Sequence, residues 1–75
     1  MEVRHGEVAE IPTGIAIQLA PGYVCLVFGR SGLGVKRGVA PANAVGVVDS
    51  DYRGELRVFL TCHKEGGYTV QPGER

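Results

Sequence analysis

Glycine and proline interrupt this chain so often that a long helix has no place in it. Twelve glycines and four prolines are spread through 75 residues and separate short apolar segments. Glycine destabilises a helix through its conformational freedom, and proline lacks the backbone N–H that a helix needs. Valine is frequent between these breaks, and β-branched residues favour strands. The spacing therefore predicts an all-β chain of short strands.

The clearest strand signals lie in four segments. Residues 15–20 alternate apolar and small or polar side chains, the pattern of a half-buried strand. Residues 23–28 are almost wholly apolar, which is typical of a strand covered on both faces. Residues 45–48 and 55–62 flank the polar turn 49–54, and together they predict a β-hairpin.

The remaining segments are shorter. Residues 7–11 and 68–70 predict two further short strands. Residues 29–34 are rich in glycine and leave room for one helical turn at most. Residues 38–44 contain small side chains without periodicity, so we expect irregular structure there.

Charge and cysteine content exclude several classes of protein. Eight basic and eight acidic residues give a net charge of zero, so an electrostatic nucleic-acid partner is not expected. The apolar runs are far shorter than the roughly 20 residues that cross a bilayer, so no membrane partner is expected. Cys25 and Cys62 are too few for a disulfide scaffold, which predicts a reducing, cytoplasmic location; a single bridge between them stays open. With His5 and His63 they lack zinc-type spacing.

A first candidate binding motif is Arg30-Ser31-Gly32, which stands between glycines. Backbone N–H groups of a glycine-rich loop can approach phosphate oxygens closely. The arginine guanidinium matches phosphate geometry, and the serine hydroxyl can donate a further hydrogen bond. The alternative is an ordinary β-turn with a solvated arginine. Lys36-Arg37, nearby, is read as a solvated pair or as part of the same phosphate field.

A second candidate motif is the polar turn Asp49-Ser50-Asp51-Tyr52, which holds both aspartates of the chain. A carboxylate beside a phosphate site can orient and deprotonate a water molecule. The tyrosine offers a flat ring for a sugar or a base. The alternative is structural, because aspartate and serine are good turn formers.

Taken in order, these segments resemble the trimeric deoxyuridine triphosphatases (dUTPases). Residues 29–34 are similar to the second motif of that family and residues 46–55 to its third, and the flanks 11–17 and 69–75 agree in the same order. The resemblance covers nearly the whole chain. It implies an all-β, jelly-roll-like (β-clip) barrel and a homotrimer with active sites at subunit interfaces. The implied reaction is magnesium-dependent hydrolysis of dUTP to dUMP and pyrophosphate, a step of nucleotide metabolism.

The same resemblance implies roles for residues around the polar turn. Asp49 would be the catalytic carboxylate that orients and activates the attacking water. Tyr52 would stack under the deoxyribose and exclude a 2′-hydroxyl. Asn43 and the backbone around Gly46 and Val47 would bind the edge of the uracil.

The phosphate chain is assigned to the glycine-rich loop in the same way. Arg30, Ser31 and the backbone N–H of Gly32 would hold the phosphates. Magnesium (Mg2+) would be held by phosphate oxygens and water, with no direct protein ligand. Asp51 would then be structural in its turn rather than catalytic.

The chain departs from the family pattern in several places. Gly29 stands where the family usually has proline, and the fourth motif stops at residues 73–75. The first motif, expected before Met1, and the fifth, a glycine-rich C-terminal arm, are missing. We therefore expect residues 1–75 to form a single dUTPase-like β domain that is incomplete.

Two other interpretations stay open. The first is a catalytically incompetent nucleotide-binding or interaction module that keeps the β core. The second is a relative of the dCTP deaminases, which share the fold and an Arg-Ser loop. That branch uses a glutamate in the strand after the hairpin, where this chain has Phe59.

Overall fold

The regular structure of this chain is almost entirely short β-strands. A computed structural model describes residues 1–74 and holds, within them, seven strands and one helical segment with π-type turns. The strands are β1 (Glu2–Val3), β2 (Val8–Pro12), β3 (Cys25–Val27), β4 (Val39–Pro41), β5 (Gly46–Val48), β6 (Arg57–Cys62) and β7 (Tyr68–Thr69). The helical segment is Gly32–Arg37, between β3 and β4. The all-β prediction is confirmed.

The strands form three small antiparallel sheets. β1 pairs with β7, β3 pairs with β5, and β6 lies in the centre of the third sheet between β2 and β4. Pro12 and Pro41 lie opposite Arg57 and Leu60 on the two outer strands of that sheet. Proline is tolerated there because an outer strand does not need every N–H for the ladder.

The predicted hairpin between residues 45–48 and 55–62 is wrong. β5 pairs with β3, with Val27 opposite Gly46, whereas β6 pairs with β2 and β4. Alternating side chains mark a strand but do not choose its neighbour, because pairing depends on contacts between distant parts of the chain. The polar turn therefore connects two different sheets.

Three other expectations also need correction. Residues 15–20 form no strand, although Ile17 and Leu19 are half-buried; Ile15 is 58% exposed. Irregular structure is wrong for residues 38–44 as a whole, because they contain β4. Residues 23–28 are not covered on both faces, because Leu26 is 50% exposed and Phe28 is 64% exposed. An apolar run shows that a segment can be buried, but what covers it is decided elsewhere.

The helical segment ends at Gly38, which has a left-handed backbone with φ of 71°. Its N–H donates a hydrogen bond to the carbonyl oxygen of Leu33, which closes the last turn. A Cβ atom at Gly38 would lie 2.8 Å from Cγ of Lys64. Glycine is thus required at position 38 both for the backbone conformation and for space. The helical segment Gly32–Arg37 follows directly after Arg30-Ser31.

The core is small. Val3, Val39 and Cys62 are its fully buried side chains among residues 1–74, and they join β1, β4 and β6. The chain exposes 5457 Å², whereas a compact monomer of 8.0 kDa exposes about 4,500 Å². Its extents of 42 × 20 × 19 Å are correspondingly elongated. Within the described residues, no helix is long and apolar enough to cross a membrane.

Candidate active site

A cavity of about 640 Å³ lies beside the polar turn, between β5 and β6. It exists because these two strands belong to different sheets and leave a gap instead of forming a ladder. Five residues with predicted site roles line it: Asn43, Gly46, Val47, Asp49 and Tyr52. The structure therefore brings the predicted catalytic carboxylate and the predicted sugar- and base-binding groups into one cavity.

A short turn places Asp49 and Tyr52 together. The backbone N–H of Tyr52 donates a hydrogen bond to the carbonyl oxygen of Asp49 at 3.1 Å. The guanidinium of Arg53 closes the turn by donating to the carbonyl oxygens of Ser50 (2.6 Å) and Tyr52 (3.1 Å). Both Asp49 and Tyr52 are exposed to solvent and so can reach a bound molecule.

The other side of the cavity is shaped by the chain between β4 and β5. Ala44 has a positive φ of 64°, and the N–H of Val45 donates to the carbonyl oxygen of Asn43 at 2.7 Å. A Cβ at Gly46 would lie 3.6 Å from Nδ2 of Asn43 and 3.2 Å from Cβ of Val27. Because Gly46 has no side chain, its backbone and the side-chain amide of Asn43 lie next to each other with no atom between them. A non-glycine residue with positive φ is uncommon and is found preferentially at functional sites.

The glycine-rich loop lines a second, separate cavity of about 420 Å³. Its lining consists of Arg30, Ser31, Gly32, Leu33 and Arg37, none of which lines the first cavity. Two arginines therefore line one recess, and among residues 1–74 neither forms an ion pair with a carboxylate. Such a recess suits a polyanion such as a phosphate chain.

Sequence comparison gives these motifs a family. The dUTPase family model matches residues 1–75. This chain belongs to the dUTPase family. The predicted resemblance is thereby confirmed, and the small antiparallel sheets are consistent with part of a dUTPase β fold.

Curated relatives of this dUTPase-family chain carry the same description, deoxyuridine 5′-triphosphate nucleotidohydrolase. The protein from Pectobacterium carotovorum is 46% identical over 76 residues, which is 100% of this chain and 50% of the relative. The protein from Neisseria meningitidis is 49% identical over 97% of this chain and 49% of its own length. That of Escherichia coli K12/DH10B is 41% identical over 100% of this chain and 50% of its own. The chain thus spans about half the length of these relatives.

A charged network lies at the rim of the first cavity in this dUTPase-family chain. Arg57, which lines the cavity, donates to a carboxylate oxygen of Glu10 at 2.7 Å and lies 3.7 Å from that of Glu55. The hydrogen bond with Glu10 is the main cause that raises the pKa of Arg57 above its ordinary value. The network joins β2 to β6, and the charge of the Arg57 guanidinium is paired with carboxylates of the chain itself.

The sequence did not predict Thr13 as a site residue, and it left the role of Arg37 open. Arg37, read as solvated or part of a phosphate field, lines the second cavity, and its guanidinium lies 6.0 Å from the ring centre of Tyr68. Thr13 lines the first cavity, and its N–H and hydroxyl group donate hydrogen bonds to the carbonyl oxygen of Leu56. Nothing local in the sequence reveals either placement, because each depends on a contact with a distant residue.

The cysteines and histidines form no candidate metal centre in the described part of the chain. Within residues 1–74, no group of three or more histidine, cysteine, aspartate or glutamate side chains could hold a metal ion. Both cysteines are free thiols, and Cys62 is buried. Its Sγ lies 3.6 Å from the carbonyl oxygen of Arg37 and 3.7 Å from that of Lys64.

Proposed function

We propose that this chain hydrolyses dUTP to dUMP and pyrophosphate, with residues 1–75 acting as a single dUTPase-like β unit. The observation that carries the proposal is the first cavity. Asp49 and Tyr52 share it with Asn43 and the backbone of Gly46 and Val47. A carboxylate, an aromatic ring and an amide at the wall of one cavity can serve a water molecule, a sugar and a base respectively.

In this proposal the cavity holds the nucleoside. Asn43 and the open backbone at Gly46 and Val47 bind the uracil edge, where the absence of a Cβ allows close approach. Tyr52 lies under the deoxyribose and leaves no room for a 2′-hydroxyl. Asp49 orients the attacking water and accepts its proton, a role that requires only an ionised carboxylate within hydrogen-bond reach.

The phosphate chain is assigned to the second cavity. Arg30 offers a planar fork of donors, Ser31 a hydroxyl and Gly32 a backbone N–H. Their charge and hydrogen bonds would hold the phosphates and stabilise negative charge during phosphoryl transfer.

Magnesium fits this arrangement only through the nucleotide. Magnesium prefers oxygen ligands and commonly binds through substrate phosphates. Among the described residues, the lining of the second cavity includes two arginines and no carboxylate, so phosphate oxygens and water would be the ligands of the ion there. When bound, the ion would neutralise phosphate charge and polarise the phosphoryl group under attack.

Completion of the site by a second copy of the chain is part of the proposal. The two cavities share no lining residue, which fits an active site assembled at subunit interfaces. The extended surface and the exposed apolar side chains of Leu26 and Phe28 fit a homotrimer. Sedimentation velocity over a range of concentrations tests this, and a monomer at all concentrations would contradict it.

The deciding experiment measures pyrophosphate release by the chain from dUTP, dTTP and UTP, with and without magnesium. The proposal expects magnesium-dependent release from dUTP alone. Binding of dUTP without release would instead favour the non-catalytic nucleotide-binding module. A parallel assay measures ammonia release from dCTP, and release there would favour the deaminase branch. A cytoplasmic location stays a prediction.

A further inference from the structure

The ring of Tyr52 lies directly against Gly54. A Cβ atom added at Gly54 would lie 2.7 Å from the tyrosine hydroxyl oxygen, 2.9 Å from Cζ and 3.3 Å from Cε1. The backbone of Gly54 is outside the left-handed region, so its conformation does not require glycine. The position is therefore restricted by space alone, and the space is taken by the hydroxyl end of one aromatic ring, over whose face a Cβ atom would lie.

The same ring is also held at its hydroxyl group. The Tyr52 hydroxyl donates a hydrogen bond of 2.7 Å to the backbone carbonyl oxygen of Glu55. A tyrosine side chain has two rotatable bonds, and contact of the ring with Gly54 together with a hydrogen bond at the hydroxyl group restricts both. Because Tyr52 lines the first cavity and is 44% exposed, the constrained ring still presents surface to a bound molecule.

The carbonyl that holds the ring belongs to a well-anchored segment. The backbone of Leu56 bonds in both directions with residues 13–15, since its carbonyl accepts from the N–H of Thr13 (3.1 Å) and its N–H donates to Ile15 (2.8 Å). The Thr13 hydroxyl adds a bond of 2.6 Å to the Leu56 carbonyl. The Glu55 carboxylate accepts from the N–H of Gly14 at 2.8 Å. Residues 55–56 are thus joined to residues 13–15 by four hydrogen bonds.

We propose that Gly54 is a positioning residue that fixes the Tyr52 ring and thereby sets the preference for deoxyribonucleotides over ribonucleotides. The inference rests on the proposed function, in which Tyr52 lies under the sugar. A difference of one oxygen atom can be rejected sterically only by a group that cannot move aside. Gly54 supplies the space into which the ring settles, and Glu55 supplies the bond that keeps it there.

An alanine at position 54 should displace the ring. Contacts of 2.7 and 2.9 Å are shorter than real Cβ atoms tolerate, so one of the two groups must shift. Because the tyrosine side chain is 44% exposed, we expect its ring to turn and its bond to Glu55 to lengthen or break. Its neighbour Glu55 would remain tied to Gly14, so the effect stays with Tyr52. A freed ring no longer excludes a 2′-hydroxyl.

The geometry is tested in the free chain by nuclear magnetic resonance. A ring stacked on Gly54 shifts the α-protons of that glycine upfield and gives nuclear Overhauser contacts between them and the Tyr52 ring protons. We expect both signals in the wild-type chain. Their absence in a folded chain would overturn the inference, with or without enzymatic activity.

The consequence for recognition is tested by the affinities of dUMP and UMP for the wild-type chain, Gly54→Ala, Tyr52→Phe and the double variant. We expect Gly54→Ala to reduce the dUMP-to-UMP preference about tenfold. The loss should be smaller in the Tyr52→Phe background, because the hydroxyl that Cβ would approach most closely is gone. Glu65→Ala is the control, since Glu65 is exposed in a turn, lines neither cavity and should keep the wild-type preference.

The outcomes separate this inference from the proposed function. Intact dUMP binding with an unchanged preference in Gly54→Ala, or an equal loss in both backgrounds, would overturn the inference alone. No dUMP binding by the folded wild-type chain would overturn the proposed function and the preference with it. If Gly54→Ala fails to fold, Tyr52→Phe decides: loss of the hydroxyl anchor should reduce the preference in a folded chain, and an unchanged preference would overturn the inference.

Discussion

The N–H of Tyr52 and the carbonyl oxygen of Asp49 form a hydrogen bond of 3.1 Å within one turn. This bond joins the proposed base and the proposed sugar platform, and both line the same cavity. The turn begins where β5 ends and is closed by Arg53, so neither group can shift far without the other. Separate substitutions at Asp49 and at Tyr52 are therefore needed to distinguish the proposed base from the proposed sugar platform.

Asp49→Asn should remove hydrolysis while leaving nucleotide binding in place. The amide keeps the size and the turn geometry but cannot accept a proton from water, so pyrophosphate release should fall at least about 100-fold. The dissociation constant of dUMP should stay within a few-fold of the wild-type value. Asp51→Asn is the control, because Asp51 is in the same turn but does not line the cavity. Retained turnover in Asp49→Asn would contradict the assignment.

Arg30→Gln and Arg37→Gln should each weaken binding of dUTP. Each removes the guanidinium of an arginine that lines the second cavity, and a charge-assisted hydrogen bond contributes about 1.5–3 kcal/mol, roughly tenfold or more in affinity. The loss should be largest at low salt, because screening weakens charge interactions at exposed sites. Lys36→Gln removes the same charge from a neighbour that does not line this cavity. An equal effect of Lys36→Gln would point to a general field instead.

Val3→Ala should lower the free energy of unfolding of the chain markedly, although it replaces one small apolar side chain by another. Val3 is 0% exposed and belongs to a core of three fully buried side chains within residues 1–74. Removal of two methyl groups there costs about 2 kcal/mol in transfer and cavity terms. Val8→Ala, at a position 61% exposed, should change the free energy of unfolding by less than about 0.5 kcal/mol. Urea unfolding monitored by circular dichroism measures both, and equal effects would contradict this core.

Glu74 should make stability depend on pH in the acid range. Its carboxylate accepts from the N–H of Gln71 at 2.9 Å and from the hydroxyl of Tyr68, and these bonds, the first more than the second, lower the pKa of Glu74. A lowered carboxyl pKa contributes stability above its unfolded-state value, and this is lost as pH falls through the folded-state value. The urea midpoint of the wild-type chain should therefore fall more on acidification than that of Glu74→Gln.

Two further observations complete the pH test. Glu65→Gln, at an exposed position in a turn, is the control and should follow the wild-type curve. The bond to Glu74 is also the main cause that raises the pKa of Tyr68, so the contribution of the phenol is lost only as pH rises through that raised value. Parallel acid curves for the wild-type chain and Glu74→Gln would contradict the role of Glu74.

Much of the candidate site could be predicted because its members are close in the chain. Asp49 and Tyr52 are separated by two residues, and Arg30, Ser31 and Gly32 are consecutive. The short range of such motifs leaves the chain few ways to place them. The first pair lines one cavity and the second group lines another. Their roles in binding and catalysis remain predictions.

The errors concern relationships between distant residues. The alternation in residues 55–62 correctly predicted β6, but its partners are β2 and β4 and not β5. Arg37 reaches the second cavity through the packing of the helical segment, and Thr13 reaches the first through Leu56. The alternation of side chains within one strand does not show which other strand will pair with it.

The sequence by itself determined that the strands would be short, since glycine and proline stop every regular element within a few residues. It also determined which chemical groups each motif offers. Only the tertiary structure decided that β5 and β6 lie in different sheets, so that a cavity opens between them, and that Tyr52 rests on Gly54. The physical reason is that backbone propensity acts within a few residues, whereas sheet pairing and close packing depend on long-range contacts.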